Sequence, residues 1–464
     1  MSIKNNGQFA CEIEKCLTRK LPIKLGINKK NELVRLIYEI CRAKGLSIRD
    51  VIAKAGIEKM AENGKGGLFK KCKGALLEMR YPSLTPGDDP HIMPFDAASL
   101  GEASPIWDFD LRPKRIFIEK GVKDLRWTCE FLENFPQAEH LVIEDVKNAL
   151  KGIRDADVTD VYNFRRENLF LVKNKSAFIK ICPCTKGCVR CGYWILNIGF
   201  GCPIDCAYCY LQMYSNAPGI ILPANIEDYY PYIEEFGRKV SGRVRIGTGE
   251  FTDSLALDKY TKYSSYLIPF FRDKKNLVFE LKTKSANIDN VLKKEPHDSI
   301  VISWSMNTLQ VAERYEKGGS SIKGRINAAR KAAGEGYKIG FHFDPIVYYP
   351  KWESDYKETV EEMFSYDEIR KNTVWISLGT LRYTPGLKQA AEKRFEENLM
   401  FYQGEFFTDI DGKLRYSRRV RIDMYNRMVE WIRSFNTSLW VYLCMEPEDI
   451  WKKTILDKKS YVYN

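Results

Sequence analysis

The chain has 464 residues, of which 44% are hydrophobic and 29% charged. This composition is typical of a globular protein, and the length predicts more than one domain. It has no run of 18 apolar residues and no apolar N-terminal leader, which argues against a membrane-spanning or secreted class and predicts a cytoplasmic protein. The formal net charge of +12 favours a polyanionic partner such as DNA or RNA without requiring one.

Residues 1–105 are predicted to form a helical accessory region that ends in a linker. Apolar residues recur at helical spacing over residues 33–44 and 48–59, with Ser47 a candidate N-cap between them. Such a pair resembles a helix-turn-helix, although most pairs of this kind are plain helical hairpins, and both interpretations stay open. Residues 81–106 are rich in Pro, Gly and Asp and are predicted to be the linker.

The next segment, residues 106–190, is predicted to be a βαβ lead-in followed by a cysteine-rich stretch. Runs rich in Ile, Val and Leu at residues 115–119 and 140–144 flank a helical pattern at residues 123–134. Because strands joined through a helix run parallel, this segment predicts a small parallel sheet.

Strands and helices alternate through residues 191–385, which predicts a parallel α/β sheet curled into a partial (β/α)6 barrel of the TIM type. Its active face would lie at the carboxyl ends of the strands. The predicted strands cover residues 194–199, 244–248, 277–281, 300–305, 338–343 and 374–379.

Residues 386–464 are predicted to be a C-terminal extension. Within it, residues 415–421 are mostly basic and aromatic, a pattern that could follow a phosphate backbone with Tyr416 stacking on a base. A solvated basic loop explains the same residues equally well.

A single loop holds Cys202, Cys206 and Cys209 at x3 and x2 spacing. Three thiolates from one loop fit three corners of a 4Fe-4S cluster and leave one iron open to a ligand. A zinc site usually draws its ligands from two separated pairs, so a lone triplet fits zinc less well.

This loop, with Tyr208 before its last cysteine, resembles that of the radical S-adenosylmethionine (SAM) superfamily. The resemblance implies that Cys202, Cys206 and Cys209 hold a 4Fe-4S cluster whose open iron binds SAM. An electron from that cluster would split SAM into methionine and a 5′-deoxyadenosyl radical. A small electron donor, flavodoxin or ferredoxin, is implied as a partner.

From about residue 112 onward the chain more closely resembles the spore photoproduct lyase family and its "DNA repair photolyase" relatives. The resemblance implies a DNA repair lyase that abstracts hydrogen from a nucleic-acid substrate, with a thymine-dimer lesion the leading candidate. It is carried by several segments in matching order: Tyr208-Cys-Tyr-Leu-Gln212, Asp253-Ser-Leu-Ala-Leu-Asp258, Lys282-Thr-Lys284, Ser303-Trp-Ser-Met-Asn307, Glu316-Lys-Gly-Gly-Ser-Ser321, Gly334-Glu-Gly-Tyr-Lys-Ile-Gly340, Pro345-Ile346 and Trp352.

Residues after the second to fourth predicted barrel strands are candidates for binding SAM. Glycines 247 and 249 would let the backbone approach a ligand, and a carboxylate could accept hydrogen bonds from the SAM amino group. The resemblance implies contacts from the third and fourth strands to the SAM carboxylate. The predicted cofactor-binding residues are Gly247, Gly249, Glu250, Lys284, Ser305 and Asn307.

Two tyrosines are the predicted catalytic residues. Tyr208 and Tyr210 match the pair that is proposed in the family to relay a hydrogen atom between substrate and cofactor. Aromatic residues beside a buried loop can also be simple packing, and that interpretation stays open.

The chain departs from the family at Glu250. Aligning residues 253–258 places Glu250 where spore photoproduct lyase has the cysteine that quenches the thymine radical. A carboxylic O–H bond is too strong for that role and an ionised carboxylate has no such hydrogen. Another thiol, such as Cys444, or a tyrosine would have to donate, or else the substrate differs.

A second departure is a run of four cysteines ahead of the cluster loop: Cys182, Cys184, Cys188 and Cys191. These thiols could hold an auxiliary iron–sulfur cluster or a structural zinc, or they could be reduced thiols without a metal.

Two other functions remain open from the sequence. One is a radical SAM enzyme acting on a peptide or a modified nucleoside. The other is a non-enzymatic, metal-stabilised nucleic-acid-binding protein.

Overall fold

A computed structural model describes residues 6–62, 66–82, 111–149, 162, 164–175, 178–214, 219–395, 398–409 and 411–456. Most of the predicted linker, from residue 83 on, lies outside these residues. The α-helices are α1 (Asn6–Lys20), α2 (Ile27–Lys44), α3 (Ile48–Lys54), α4 (Ile57–Glu62), α5 (Leu68–Arg80), α6 (Arg126–Leu132), α7 (Val146–Ala149), α8 (Leu211–Tyr214), α9 (Tyr230–Lys239), α10 (Asp258–Thr261), α11 (Tyr263–Arg272), α12 (Asp289–Leu292), α13 (Leu309–Tyr315), α14 (Ile322–Gly334), α15 (Trp352–Phe364), α16 (Asp367–Asn372), α17 (Pro385–Arg394), α18 (Arg418–Phe435) and α19 (Glu448–Trp451).

The strands of three or more residues form three sheets. They are β1 (Arg115–Glu119), β2 (Glu139–Ile143), β3 (Asn168–Val172), β4 (Ile179–Ile181), β5 (Trp194–Leu196), β6 (Ile220–Pro223), β7 (Val244–Gly247), β8 (Leu277–Thr283), β9 (Ile300–Ser305), β10 (Lys338–Ile346), β11 (Thr373–Thr380), β12 (Phe406–Thr408), β13 (Leu414–Tyr416) and β14 (Trp440–Leu443).

The chain divides into two compact units. The first takes its described residues from within Met1–Ile106, Val347–Pro350 and Leu381–Val420. The second takes them from within Trp107–Ile346, Lys351–Thr380 and Arg421–Asn464. The four-part division expected from the sequence stays a prediction.

Helices α1–α5 build the core of the first unit, and the expected helix pair is α2 followed by α3. Gly45 ends α2 in the left-handed conformation, with φ of 64°, which suits a residue without a Cβ. Ser47 then begins α3 with a capping box, its hydroxyl accepting from the Asp50 amide. The predicted helix over residues 48–59 is broken at Gly56, which has a φ of 64°, into α3 and α4.

A buried group of charges joins α2 and α5 to α17 within the first unit. Glu39 accepts from Arg35 at 3.0 Å and from Lys388 at 2.5 Å, and Arg80 contacts its second oxygen at 3.2 Å. Arg35 also contacts Glu392 at 3.2 Å. Because unpaired charges are costly to bury, this network fixes the C-terminal segment to the helices.

The basic run of residues 415–421 differs from its interpretation from the sequence. Its first two residues lie in β13, which pairs with β12 in the first unit. Tyr416 is 1% exposed, packs on Phe406 and accepts from the Tyr348 amide at 2.9 Å, so its ring is not available for stacking on a base. Arg415 is likewise buried and makes two hydrogen bonds to Asp411. Neither a stacking platform nor a solvated loop describes these two residues.

The second unit begins with the predicted βαβ lead-in. Strands β1, β2, β3 and β6 form a parallel sheet in the order β2-β1-β3-β6. The helix between β1 and β2 is shorter than predicted, because a 3-10 turn at Lys120–Val122 precedes α6.

The larger sheet of the second unit confirms the predicted fold class. Its order is β14-β11-β10-β9-β8-β7-β5-β4, and the pairs from β5 to β14 are parallel. Helices lie between successive strands, as in a curled half-barrel. Strand β14 was not predicted, because its four residues are too few to distinguish from a loop, and β4 pairs antiparallel with β5.

Strands β5 and β10 end at different residues from those predicted. Strand β5 ends at Leu196, earlier than predicted, so the cysteine loop starts close to the sheet. Strand β10 runs to Ile346, three residues beyond the predicted end. Among the described residues, no helix is long and apolar enough to cross a membrane.

Candidate functional site

The loop that follows β5 places its three cysteines at the carboxyl edge of the barrel. Cys202 and Cys206 are buried and Cys209 is half-buried. Residues 205 and 206 pair with residues 316 and 317 in a short antiparallel ladder, which ties the loop to the region after α13. At Gly199 a Cβ atom would lie 2.8 Å from the Ile221 carbonyl oxygen, so this close approach needs glycine.

Arg165 lies behind the loop and orients it, a role that no sequence pattern indicated. Its Nε donates to the Cys202 carbonyl at 2.8 Å and its Nη2 donates to the Ile204 carbonyl at 3.2 Å. The same Nη2 lies 3.1 Å from Asp205 Oδ1, and both side chains are buried. The guanidinium therefore bonds to two carbonyls and one carboxylate of the loop, and it places a positive charge near the loop that carries the thiols.

Burial dominates the acid–base properties of the three thiols. It raises the pKa of Cys202 to about 12, and it also raises the pKa values of Cys206 and Cys209. The nearby Lys284 opposes this shift at Cys206 and Cys209. Buried thiols of this kind become thiolates when a metal replaces the proton, so the loop suits a bound cluster.

Within the described part of the chain, no three His, Cys, Asp or Glu side chains are spaced to bind a single metal ion. In a cubane cluster each of three cysteines binds a different iron. The thiols of Cys202, Cys206 and Cys209 are the ligand type that such a cluster takes, so the donor set fits it.

Tyr208, Lys284 and Asn307 come together around the carboxylate of Glu316. The Tyr208 hydroxyl donates to Glu316, and Arg325 lies 2.6 Å from the second oxygen of that carboxylate. Asn307 Nδ2 lies 3.3 Å from Glu316, and the Lys284 ammonium lies 5.7 Å from the centre of the Tyr208 ring. Arg325 keeps the pKa of Glu316 below its usual value despite burial, so the carboxylate is ionised.

Ser305 and Tyr210 complete the predicted set on this edge. Ser305 is buried at the end of β9, where its carbonyl accepts from Arg325 at 2.9 Å. Tyr210 is half-buried, with its ring stacked 6.2 Å from that of Tyr214. Of the two tyrosines of the loop, Tyr208 donates its hydroxyl to a buried carboxylate, and Tyr210 stacks its ring on Tyr214.

Asp253 fastens the carboxyl ends of β7 and β8 together. Its Oδ1 accepts from the Thr283 hydroxyl at 2.6 Å and from the Ala256 amide at 2.8 Å. Its Oδ2 accepts from the Lys284 amide at 2.7 Å. The carboxylate thus positions the backbone that carries Lys284.

The two glycines after β7 are packed against protein side chains. A Cβ at Gly247 would lie 2.2 Å from the Tyr193 hydroxyl oxygen, and one at Gly249 would lie 2.7 Å from the Lys282 Cβ. The close approach at these positions is therefore to Tyr193 and Lys282, while the expected approach to a ligand stays a prediction. Glu250 follows them and is exposed to solvent.

The second cysteine segment, residues 182–191, reaches from β4 across to the last barrel strand. The amide of Cys182 donates to Tyr193 at 3.0 Å, and Cys188 forms a backbone bridge with Pro447. The Val189 amide donates to the Glu446 carbonyl at 3.0 Å. The segment therefore connects the two edges of the open barrel.

Its thiols lie near other sulfur and carboxylate groups. The sulfurs of Cys182 and Cys184 are 3.6 Å apart. The hydrogen bond with Cys184, then burial, and then the charges of Cys184, Glu250 and Cys444 raise the pKa of the Cys182 thiol. Cys191 Sγ accepts from Arg245 Nη2 at 3.4 Å. The segment thus pairs the Cys182 and Cys184 thiols with each other and the Cys191 thiol with Arg245.

Arg245 links this segment to a polar core inside the barrel. Its guanidinium lies 4.9 Å from the ring centres of both Tyr193 and Tyr442. Glu280 accepts from His342 at 2.7 Å and lies 3.8 Å from Arg245. Burial and the charge of Lys282 lower the pKa of His342 to about 4, so this ring is neutral at pH 7.

The pKa of Glu280 is lowered to about 2, so this carboxylate is ionised beside a neutral histidine. A neutral His342 cannot supply the positive charge that keeps Glu280 ionised. We attribute the ionised state of Glu280 to Arg245, whose charge is permanent.

Comparison with known proteins identifies relatives over most of the chain. Residues 112–408 match the family model for spore photoproduct lyase. The spore photoproduct lyase of Clostridium acetobutylicum is 22% identical over 284 residues, which cover 61% of this chain and 82% of that protein.

Two solved structures share the fold. Spore photoproduct lyase complexed with dinucleoside spore photoproduct aligns with a TM-score of 0.62 and 22% identity, covering 72% of this chain and 99% of the other. A mutant of spore photoproduct lyase with bound AdoMet and dinucleoside spore photoproduct gives a TM-score of 0.61 and 21% identity, covering 73% and 100%.

Proposed function

The chain belongs to the spore photoproduct lyase family, and on that premise we propose that it is a radical SAM lyase that repairs a crosslinked thymine dimer in DNA. A 4Fe-4S cluster and SAM would supply the hydrogen-abstracting 5′-deoxyadenosyl radical. The relatives named for this activity support the proposal, as does the neighbour that contains dinucleoside spore photoproduct.

The observation that carries the proposal is the position of the three loop cysteines. Cys202, Cys206 and Cys209 lie at the carboxyl edge of a half-barrel, on a loop that Arg165 fixes from behind. They would bind three irons and leave the fourth for SAM. Carboxyl edges are where enzymes with this type of barrel place their active sites.

We propose that Lys284 contacts the SAM carboxylate, as the residue best suited by charge. Ser305 is buried beside it, and its hydroxyl could add a hydrogen bond. Asn307 also donates to the Pro345 carbonyl at 3.1 Å and accepts from Tyr356, so its main role would be to hold this edge together. Exposed Glu250 and the adjacent backbone at Gly247 and Gly249 would face the SAM amino group.

Between the two tyrosines, we propose Tyr210 as the hydrogen relay. The Tyr208 hydroxyl donates to an ionised Glu316, which stabilises the O–H form and anchors the loop. Tyr210 is half-buried and lies two residues after Tyr208 on the same loop. Tyr208 would therefore act as a positioning residue.

The electron would come from a small protein such as flavodoxin or ferredoxin. An acidic donor would complement the net charge of +12 on this chain. DNA would be attracted by the same charge, and its binding should weaken as salt increases.

A second metal at Cys182, Cys184, Cys188 and Cys191 stays an alternative for the second cysteine segment. An auxiliary iron–sulfur cluster and a structural zinc are the two forms to test there. Iron, sulfide and zinc counts on anaerobically prepared protein would distinguish one cluster from two.

A second candidate function is favoured by Glu250, which stands in place of the family's cysteine: a radical SAM enzyme acting on another substrate, such as a peptide or a modified nucleoside. The test is anaerobic reconstitution with iron and sulfide, followed by reduction in the presence of SAM and an oligonucleotide that contains the spore photoproduct. We expect both 5′-deoxyadenosine and repaired thymine. SAM cleavage without repaired thymine would favour the other substrate class, and no SAM cleavage at all would favour a binding protein.

A further inference from the structure

Residues 1–82 carry nearly all of the net charge of the chain. They hold 18 of its 73 Lys and Arg residues but only 8 of its 61 Asp and Glu residues, which is a net charge of +10 out of +12. Residues 83–464, which include the whole segment matched by the family model, keep a net charge of +2. The charge that would attract a polyanion therefore belongs to the accessory helices, outside the segment shared with the family.

Two of these helices, α2 and α5, lie side by side and run parallel. Lys73 pairs with Glu32 at 2.8 Å, and farther along both helices Arg80 contacts Glu39 at 3.2 Å. Both pairs are 41 positions apart in the chain, so the contacts advance in the same direction along the two helices. The helices also begin 41 positions apart, at residues 27 and 68, so their first turns lie at the same end.

Four exposed lysines mark this end, and we call them the basic end: Lys24, Lys29, Lys70 and Lys71. Lys24 precedes α2, and the other three lie in the first turns of α2 and α5. The Lys29 ammonium lies 5.5 Å from the centre of the Phe69 ring, so the two first turns are adjacent. Across the ranges that the structure describes, none of the four lysines takes part in an ion pair.

The lysines of the basic end do not stabilise the helices that carry them. A positive charge in the first turn opposes the positive end of the helix macrodipole, and neither α2 nor α5 has an acidic residue there. Their neighbours differ, because Lys30 pairs with Glu14 and Lys73 pairs with Glu32. Repulsion among the four unpaired ammonium groups is relieved when a polyanion binds, so this surface is suited to one.

The side chains at the basic end favour duplex DNA over other polyanions. Lysine binds phosphate as a compact point charge, whereas the interfaces between proteins are depleted in lysine. Single strands are held by aromatic rings on which bases stack, but Phe69 at this end is half-buried and faces the Lys29 ammonium. Duplex DNA offers about one phosphate charge for every 1.7 Å of its axis, which matches a row of separate ammonium groups.

We propose that the basic end binds the phosphate backbone of duplex DNA without reading its sequence. The inference rests on the proposed function for the choice of DNA, and it gives the accessory helices the task of holding the duplex that carries the lesion. Phosphate contacts position a protein on a duplex but carry no sequence information. A helix-turn-helix built from α2 and α3 would use a different surface, because α3 begins at the other end of α2, about 27 Å away.

The test measures the affinity of the full chain for a short, undamaged, fluorescently labelled duplex, prepared without oxygen and without SAM, over a range of KCl concentrations. Glutamine keeps the length and helix propensity of lysine and removes its charge. The basic-end variant combines four substitutions: Lys24→Gln, Lys29→Gln, Lys70→Gln and Lys71→Gln. The control variant removes four exposed charges from the other end of the same helical region: Lys44→Gln, Arg49→Gln, Lys54→Gln and Lys59→Gln.

We expect the basic-end variant to bind the duplex at least about tenfold more weakly at about 0.1 M KCl. The slope of log affinity against log salt should become shallower by about 0.9 for each lysine that contacts a phosphate. The control variant should lose less than about threefold. An unchanged affinity and slope in the basic-end variant would overturn the inference, and so would an equal or larger loss in the control, which would instead favour the helix-turn-helix surface.

Repair of two substrates separates lost DNA binding from misfolding. The dinucleoside spore photoproduct is too short to reach beyond the reaction site, so the basic-end variant should repair it at the wild-type rate. For the same lesion within a duplex, KM should rise about tenfold while kcat is retained. Loss of dinucleoside repair would contradict a role confined to DNA binding.

A duplex of RNA with the same sequence provides the last comparison. Tighter binding of RNA than of DNA by wild type, lost in the basic-end variant, would assign the basic end to RNA and overturn the inference. If wild type repairs no thymine in either substrate, the proposed function fails. The measurement on undamaged DNA still decides whether the basic end binds a duplex.

Discussion

The two cysteine segments share their x3, x2 spacing but lie in different surroundings. The loop with Cys202, Cys206 and Cys209 follows a barrel strand, and a buried arginine bonds to its carbonyls. The segment with Cys184, Cys188 and Cys191 precedes that strand and spans the two edges of the barrel.

The backbones of the two segments form hydrogen bonds to different parts of the protein. In the first loop the carbonyls of Cys202 and Ile204 accept from Arg165. In the second, the backbone bonds to residues that follow β14, and its sulfurs contact different partners, Arg245 for Cys191 and Cys182 for Cys184. Equal cysteine spacing therefore does not produce equal sites, because different backbone contacts hold the two segments.

The largest effect should come from removing a thiol of the first loop. Cys206→Ala takes away one corner of the cluster, so we expect iron after anaerobic reconstitution to fall from about four per chain to below about one. SAM cleavage should be lost with it. Cys184→Ala is the matched control with the same spacing, and it should keep the iron of the first loop. Equal iron losses in the two variants would mean that the segments share one cluster.

The second prediction concerns the support of the first loop. Arg165→Met removes a buried charge and leaves Asp205 without its partner, which should lower the free energy of unfolding by about 3–5 kcal/mol. Urea unfolding of the metal-free protein measures this. Iron binding should weaken as well, because the three loop groups lose a common donor. A variant as stable as wild type would show that Arg165 does not hold the loop.

The sequence predicts the local features of this molecule but not the contacts between residues that are distant in the chain. The first triplet, its strand and the barrel order are local signals of spacing and apolar runs, and the fold class was predicted from them. Arg165 could not be found, because its bonds to the loop connect residues 37 and 39 positions away. Tyr416 looked like an exposed aromatic in a basic run, yet tertiary packing buries it. The backbone contacts of Cys188 and Val189 are made to residues that follow β14, a strand of four residues that the sequence did not predict.

A third prediction tests the polar core beneath the second segment through pH. The pKa of His342 is about 4 in the folded chain, below its ordinary value of 6.5, so the unfolded chain binds the extra proton between these values. Stability should therefore be intact above pH 6.5 and fall by about 3 kcal/mol as the pH drops to 4. His342→Gln should flatten that part of the profile measured by urea unfolding.

The smallest effect should come from the second segment itself. Cys191→Ser keeps a hydrogen-bond acceptor for Arg245 Nη2, which now lies 3.4 Å from the sulfur, so the guanidinium retains a partner. We expect the free energy of unfolding to change by less than about 1 kcal/mol and the ratio of repair to SAM cleavage to stay at the wild-type level. If this serine variant instead lost iron or zinc, Cys191 would be a metal ligand. The second segment would then be a metal site.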